Sequence, residues 1–576
     1  MSPYRLLTLA FVATSVLVGT SALASDDRNA KPPATKHMVA SANPHATQAG
    51  LQILRQGGNA VDAAIAVQAM LTLVEPQSSG IGGGAFLMLH DQKTGRMTAY
   101  DGRETAPAGA TEELFLKADG TAKKKNDVIP GGRSVGVPGI LAMLAMAHAD
   151  HGNLAWADLF APAIELATNG FEISPRFYFM VDMYKERVNS DGFRHYFYDA
   201  EGNPKPVGSV LKNQPLANTL TRIAEGGAEV FYQGELAQAI VGAVNNSAIN
   251  PGTLSMEDMA NYQPKKREAV CAPYRTWSIC GMPPPSSGGI AVVQILKLLE
   301  GFDLSALDPT SVAAANLFLE AARLAYADRA THLGDVDFVH VPVAGLVNAD
   351  YLAERSKLIT LGKAMEDAPA GNPPGAEVAY ITMDQGEIPA TSHFSIVDGE
   401  GNALAMTTTI ESAYGSRLMV DGFLLNNQLT DFTFVPRDEK GPVANRVEPG
   451  KRPLSSMSPT LVFDQQGRPV ITVGSPGGPL IISFVAKTLL SVLEWNMTMQ
   501  EAISRSNLFP NGKTAIIEKD SELSAHQAGL EALGYRVLEG SLTSGLHGIV
   551  IDYDEAGGRT LQGGADPRRE GAAEGE

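Results

Sequence analysis

Thr391 and Thr409 stand at the two open ends of a segment that reads as a β-hairpin, Thr391-Ser-His-Phe-Ser-Ile-Val397 returning as Ala403-Leu-Ala-Met-Thr-Thr-Thr-Ile410. Between them, Asp398-Gly-Glu-Gly-Asn402 is turn chemistry. With those five residues as the loop, Val397 faces Ala403 and Thr391 falls opposite Thr409. Alternation then separates two faces. Phe394, Ile396, Leu404 and Met406 form an apolar one that must enter a core. Thr391, His393, Ser395, Ala405, Thr407 and Thr409 form the other, small and polar. A hydroxyl that opens a strand, with a second hydroxyl opposite it, is suited to nucleophilic attack on a carbonyl if a base takes its proton. An ordinary threonine-rich hairpin has the same pattern, so spacing alone does not assign the chemistry. Other motifs carry less. Gly80-Ile-Gly-Gly-Gly-Ala85 resembles a dinucleotide-binding turn, but that turn must open a helix and Ala85–His90 reads as a strand. Ser475 lies in Gly-Ser-Pro-Gly, not in a nucleophile elbow. The eleven histidines show no metal-ligand spacing.

Several elements must position such a hairpin. Apolar residues at helical spacing predict helices over Pro44–Leu54, Ala60–Leu73, Ile140–His151, Leu154–Asn169, Asn213–Glu225, Leu236–Asn245, Ile290–Glu300 and Ser311–Ala330. Strands are predicted over Ala85–His90, Met97–Tyr100, Arg267–Ala272 and Trp277–Met282. A polar, Gly/Pro-rich stretch, Gly362–Pro389, reads as a surface linker that ends just before the hairpin. Beyond it come strands at Gly422–Leu425, Thr460–Phe463 and Val470–Val473, then helices at Ile481–Leu493 and Met499–Ser504. Mixed α and β without regular βαβ alternation predicts an α+β fold of antiparallel sheets with helical layers. The two cysteines, Cys271 and Cys280, fall on the arms of a hairpin turning through Pro273–Thr276. They can pair in an oxidising compartment, although that turn sets Cys271 opposite Ser278, which leaves two free buried thiols as an equal alternative.

The chain has 576 residues, 44% of them hydrophobic and 19% charged, and so has ample material for a core. Its formal net charge of −18 argues against a partner with a phosphate backbone. Residues 1–24 read as a secretory signal, with Arg5, an apolar run from Leu6 to Val18, and an Ala22-Leu-Ala24 cleavage site. No later stretch reads as a membrane span, so a soluble periplasmic or secreted protein is expected, with no membrane attachment after signal cleavage. Loss of Arg5, the only charge in that segment, takes the net charge to −19. Gly563–Glu576, rich in Gly, Ala, Glu and Arg, reads as a frayed tail.

Eight further stretches match one family in order and spacing, within a resemblance that runs from about Met38 to Arg568. They are Gly57-Gly-Asn-Ala-Val-Asp-Ala-Ala64, Pro76-Gln-Ser-Ser-Gly-Ile-Gly-Gly-Gly84, Arg103-Glu-Thr-Ala-Pro107, Pro283-Pro-Pro-Ser-Ser-Gly-Gly289, Tyr326-Ala-Asp-Arg329, Leu424-Leu-Asn-Asn-Gln-Leu-Thr-Asp-Phe432, Lys451-Arg-Pro-Leu-Ser-Ser-Met-Ser-Pro-Thr460 and Gly474-Ser-Pro-Gly-Gly478. The sequence resembles the γ-glutamyltransferases (γ-glutamyltranspeptidases). That resemblance implies an N-terminal nucleophile hydrolase with a four-layer αββα sandwich and no cofactor or metal. It implies a precursor that cuts itself between Ala390 and Thr391, leaving a large subunit (residues 25–390) and a small one (391–576) as a heterodimer within one sandwich. It assigns Thr391 as nucleophile, Thr409 as its supporting hydroxyl, and Gly477 and Gly478 as the oxyanion-hole pair. Arg103 matches the clamp on the substrate α-carboxylate, with Ser455 and Ser456 supporting it. Gln428 and Asp431 match the groups that receive the α-ammonium, and Glu411 stands where some members have Asn and others Glu.

The implied substrates are glutathione and related γ-glutamyl amides, with water or an amino acid or peptide as acceptor. One departure stands out. The segment between Phe432 and Lys451 is shorter than the lid of several members and contains no tyrosine, which predicts a more open pocket. The alternatives are a poly-γ-glutamate depolymerase, a cephalosporin acylase-like amidase, or an unprocessed, inactive binding homologue.

Overall fold

The structure is a computed structural model, and it describes residues 34–185, 190–376, 389–438 and 441–576. The signal segment, residues 1–24, and residues 377–388 of the linker lie outside the described residues. Two sheets form the centre. The first contains β1 (Met38–Ser41), β2 (Gly84–Asp91), β3 (Arg96–Gly102), β4 (Lys265–Arg267), β7 (Pro389–Val397), β8 (Ala403–Ser412) and β13 (Ala572–Gly575), hydrogen-bonded in the order β13-β1-β7-β8-β2-β3-β4. The second contains β5 (Val270–Tyr274), β6 (Trp277–Gly281), β9 (Thr460–Phe463), β10 (Pro469–Gly474), β11 (His547–Tyr553) and β12 (Arg559–Ala565), in the order β12-β11-β10-β9-β6-β5. The sheets pack face to face, β7 on β10 and β11, and β8 on β9 and β10.

Helices cover both outer faces. Helices α1 (Pro44–Arg55), α2 (Ala60–Val74) and α3 (Ile140–His151) lie on the first sheet, and α4 (Gly288–Leu299), α5 (Val312–His332) and α6 (Ile481–Trp495) form the layer over the second. The result is the expected α/β/β/α layering. Helix α2 is buried along its whole length, which its sequence permits because Ala, Val, Leu, Ile and Met fill almost every position. Asn59 and Asp62 close a reciprocal capping box at its start, a device that contributes about 1 kcal/mol.

The central hairpin has the predicted register. Val397 pairs with Ala403, and Thr391 with Thr409. Phe394, Ile396, Leu404 and Met406 share a core with α1 and α2. Truncating one such side chain, Phe394, to alanine costs about 3–5 kcal/mol. The polar face turns inward too, between the sheets, so its groups must pair with one another. His393 Nδ1 meets Thr407 Oγ1 at 2.8 Å, and Thr472 Oγ1 on β10 donates to Leu404 O at 2.9 Å.

Five expectations change. Leu154–Asn169 is not one helix. A 3₁₀ segment, Trp156–Phe160, leads into an α-helix, Ala161–Asn169, because Pro162 is tolerated only in a first turn. The predicted strand Arg267–Ala272 breaks at Glu268-Ala269, and its two parts join different sheets. The cysteine hairpin turns through two residues, with Tyr274 opposite Trp277 and Arg275 at φ 52°. That turn places Cys271 opposite Cys280, and the two form a disulfide. The C-terminal segment is not frayed: β13 pairs antiparallel with β1, and Arg568 binds the Glu518 carboxylate. Finally, Gly478–Trp495 is long and apolar enough to cross a membrane, but most of it is buried inside the protein as the core of the α6 layer.

Candidate active site

The opening of β7 forms one wall of a pocket. The strand runs through the Ala390–Thr391 bond, with Thr391 paired opposite Thr409 and the ladder irregular from there to the Pro389–Ser412 pair. Thr409 Oγ1, across on β8, donates to Ala390 O at 3.1 Å and lies 3.0 Å from Thr391 Oγ1. A hydroxyl carries one proton. Since that of Thr409 goes to the carbonyl, Thr391 is the donor to Thr409. The backbone N–H of Glu411 also donates to Thr409 Oγ1, at 2.9 Å. One hydroxyl thus polarises the Ala390 carbonyl and orients the Thr391 proton.

Thr391, Thr409 and Ala390 share the pocket with Arg103, Glu411, Gln428, Asp431, Ser455, Ser456 and Gly478. All the residues singled out from sequence therefore meet at one place, with Gly477 adjoining Gly478 in the turn between β10 and α6. Both glycines have positive φ, 145° and 55°, and a Cβ on Gly477 would sit 2.8 Å from the Phe484 ring. This turn is open only to glycine.

Arg103, at the end of β3, is almost fully buried (1% exposed). Its Nη2 donates to Asp431 Oδ2 at 2.6 Å and to Leu454 O at 3.0 Å, and its Nε donates to Pro453 O at 3.1 Å. Gln428 Nε2 also donates to Asp431 Oδ2, at 2.8 Å, within a 3₁₀ turn, Gln428–Asp431. Glu411 lies in an irregularity of the β7–β8 ladder, between Thr409 and Ser412, at φ 79°. A bulge of this kind re-aims side chains, and here a carboxylate lines the pocket wall. Ser412 and Asn427 donate to its Oε2.

Burial disfavours both carboxylates in their charged forms, but their surroundings separate them. For Asp431, burial and the negative charge of Glu411 raise the pKa above the usual range, against the pull of Arg103. For Glu411, burial is outweighed by Lys125 and by the hydrogen bonds from Ser412 and Asn427, so its pKa falls. Behind Arg103, the buried Glu104 is pushed up to about 8 by burial, opposed by Arg103.

Some contributors were not named as site residues from sequence. Arg329 on α5, within the Tyr326–Arg329 motif, lines the pocket and donates to Ser456 Oγ and Ser287 Oγ, both at 2.8 Å. Arg569, in the tail, donates to the carbonyl of Thr391 itself at 3.0 Å. Lys125 and Asn427 hold Glu411. Only Arg329 and Asn427 left a signal, as members of matched motifs.

A four-layer sandwich with a threonine near the start of a central strand beneath a polar pocket fits the class of N-terminal nucleophile hydrolases. The family model for gamma-glutamyltranspeptidase matches residues 46–576. The glutathione hydrolase proenzyme of Bacillus subtilis (strain 168) is 38% identical over 545 residues, which cover 93% of this chain and 91% of that one. Among solved structures, cephalosporin acylase from Bacillus halodurans superposes with a TM-score of 0.82 at 27% identity, covering 97% of this chain and 99% of the other. Helicobacter pylori gamma-glutamyltranspeptidase superposes at 0.56 with 36% identity, covering 58% of this chain and 96% of that one. The chain belongs to the gamma-glutamyltranspeptidase family.

Proposed function

We propose that the protein is a self-processing γ-glutamyl hydrolase and transferase in which Thr391 is the nucleophile of both reactions. The observation that carries this reading is the Thr391–Thr409–Ala390 hydroxyl chain beside a buried Arg103 and two carboxylates, Glu411 and Asp431.

In maturation, Thr391 Oγ attacks the Ala390 carbonyl, which already accepts a hydrogen bond from Thr409. The Ala390–Thr391 C–N bond breaks as the hydroxyl proton passes to the departing nitrogen, an ester of Ala390 forms on Oγ, and water hydrolyses it to the Ala390 carboxylate and the free hydroxyl. The freed α-amino group has an unperturbed pKa near 7.7–8.0 and is the base for its own hydroxyl. In turnover, Thr391 Oγ attacks the γ-carbonyl of a γ-glutamyl amide such as glutathione. The tetrahedral oxyanion takes hydrogen bonds from the backbone N–H groups of Gly477 and Gly478. The C–N bond breaks, the amine leaves with the proton that the α-amino group collected, and water or an acceptor amine releases the γ-glutamyl ester.

The donor's glutamyl head carries both charge signs and so suits a pocket that presents both. Arg103 takes the α-carboxylate, for which a guanidinium is geometrically matched, with Ser455 and Ser456 beside it. Glu411, Gln428 and Asp431 take the α-ammonium. Residues 25–390 and 391–576 remain together as a heterodimer, because β13 and β7 of the smaller piece sandwich β1 of the larger. The N-terminal signal directs the protein to the periplasm or beyond.

The test is to purify the full chain, run it on a denaturing gel and assay γ-glutamyl-p-nitroanilide with and without Gly-Gly. Two fragments with amine release are expected. A single uncleaved band with no release overturns the reading.

A further inference from the structure

Behind the pocket wall that Glu411 lines stands a further cation of the chain, outside the pocket lining itself. Lys125 Nζ lies 3.4 Å from Glu411 Oε1. The two oxygens of Glu411 differ: Oε2 is held by Ser412 and Asn427, while Oε1 is buried, accepts no hydrogen bond among the described residues and faces the lysine. Lys125 opens a short helical turn, Lys125–Val128, whose Val128 belongs to one small apolar cluster with Leu429 and Phe432, at the 3₁₀ turn that carries Gln428 and Asp431. The lysine side chain is 26% exposed and the glutamate side chain 3%. In this pair the glutamate is the more deeply buried partner and the lysine the more exposed one.

We propose that Lys125 is a specificity-determining residue of the donor site. Its ammonium is the resident counter-ion of Glu411 and yields Oε1 to the α-ammonium of an incoming γ-glutamyl donor. A buried carboxylate needs a cation. A ligand that brings its own displaces the lysine. A ligand without one, a glutaryl group, binds with Lys125 still in place. The lysine therefore competes with γ-glutamyl groups and supports glutaryl groups. This inference rests on the γ-glutamyl reading of the pocket.

The experiment compares L-glutamate and glutarate as inhibitors of γ-glutamyl-p-nitroanilide turnover, in the native protein, Lys125→Met and Lys125→Arg. In Lys125→Met, inhibition by glutamate should tighten and that by glutarate weaken, so the ratio of the two inhibition constants shifts on the order of tenfold. Lys125→Arg, which keeps the cation, should hold the ratio near the native one. If both inhibitors move by the same factor in Lys125→Met, the lysine only supports the fold locally and the proposal is overturned. Glutarate that fails to inhibit the native protein overturns it too. A native protein that releases no nitroaniline removes the γ-glutamyl reading itself, an outcome distinct from an unchanged ratio.

Discussion

Replacing Thr409 by valine removes one hydroxyl and almost no volume at a site that is 3% exposed, and the contacts of that hydroxyl set the expected size of the effect. It donates to Ala390 O at 3.1 Å, accepts from Thr391 Oγ1 at 3.0 Å and accepts from the Glu411 N–H at 2.9 Å. Loss of the first removes a donor from the carbonyl that becomes an oxyanion during self-cleavage. A donor in that role is worth about 10²–10³ in rate, or roughly 2.7–4 kcal/mol. Loss of the third leaves a buried N–H without its acceptor, at a cost of about 1–3 kcal/mol in stability. Thr409→Val should therefore remain folded and convert precursor to fragments on the order of 10²–10³ times more slowly. Thr409→Ser keeps the hydroxyl and should process far faster than the valine variant. The assay is a time course of band conversion on denaturing gels, with thermal unfolding as the control for folding. A folded valine variant that processes at the native rate refutes the role given to Thr409.

Arg103→Gln should raise KM for γ-glutamyl donors and lower Tm, because it takes the guanidinium partner from the half-buried Asp431 carboxylate, a loss of about 1–3 kcal/mol; an unchanged KM would place the carboxylate clamp elsewhere. Glu104 has a folded pKa raised to about 8 from an ordinary 4.5, so the folded state binds more protons than the unfolded one and stability falls as pH climbs between those values. Glu104→Gln should accordingly stabilise the protein more at pH 8 than at pH 5, as read by denaturant unfolding at the two values. Reduction of the Cys271–Cys280 bridge opens a short hairpin loop and should lower stability by about 2–3 kcal/mol, measured as a Tm shift that Cys280→Ser reproduces. Arg569→Ala removes the hydrogen bond to the Thr391 carbonyl and should slow fragment formation on the same gels; native-rate processing would make the tail's contact irrelevant to the nucleophile.

The central hairpin was legible because its signals are local. Five consecutive turn residues fix the loop, and strict alternation sets Thr391 against Thr409. The cysteine hairpin was not, because Arg275-Thr276 is poor turn chemistry. Tertiary packing holds Arg275 at a φ that its composition does not advertise. The tail misled for a related reason. Gly, Ala and Glu have low strand propensity, and β13 exists because β1 offers a free edge and because Arg568 and Arg569 find partners on distant strands. Nothing in the pattern of Arg267–Ala272 shows that one apparent strand divides between two sheets.

Within the pocket, the resemblance supplied Arg103, Glu411, Gln428, Asp431, Ser455 and Ser456; without it Arg103, Glu411 and Asp431 would each read as a solvated surface charge. Burial of Arg103 beneath Pro453 and Leu454 is a property of chain segments far apart in sequence. The same holds for Lys125, whose approach to Glu411 depends on the docking of a four-residue turn.

The most direct test of Thr391 as the shared nucleophile is peptide mapping after an acid quench during turnover of a γ-glutamyl donor. The small fragment should begin at Thr391, and its N-terminal peptide should, in a fraction of molecules, be heavier by one glutamyl group. A fragment beginning at another residue, or a glutamyl adduct on any other side chain, contradicts that role for Thr391.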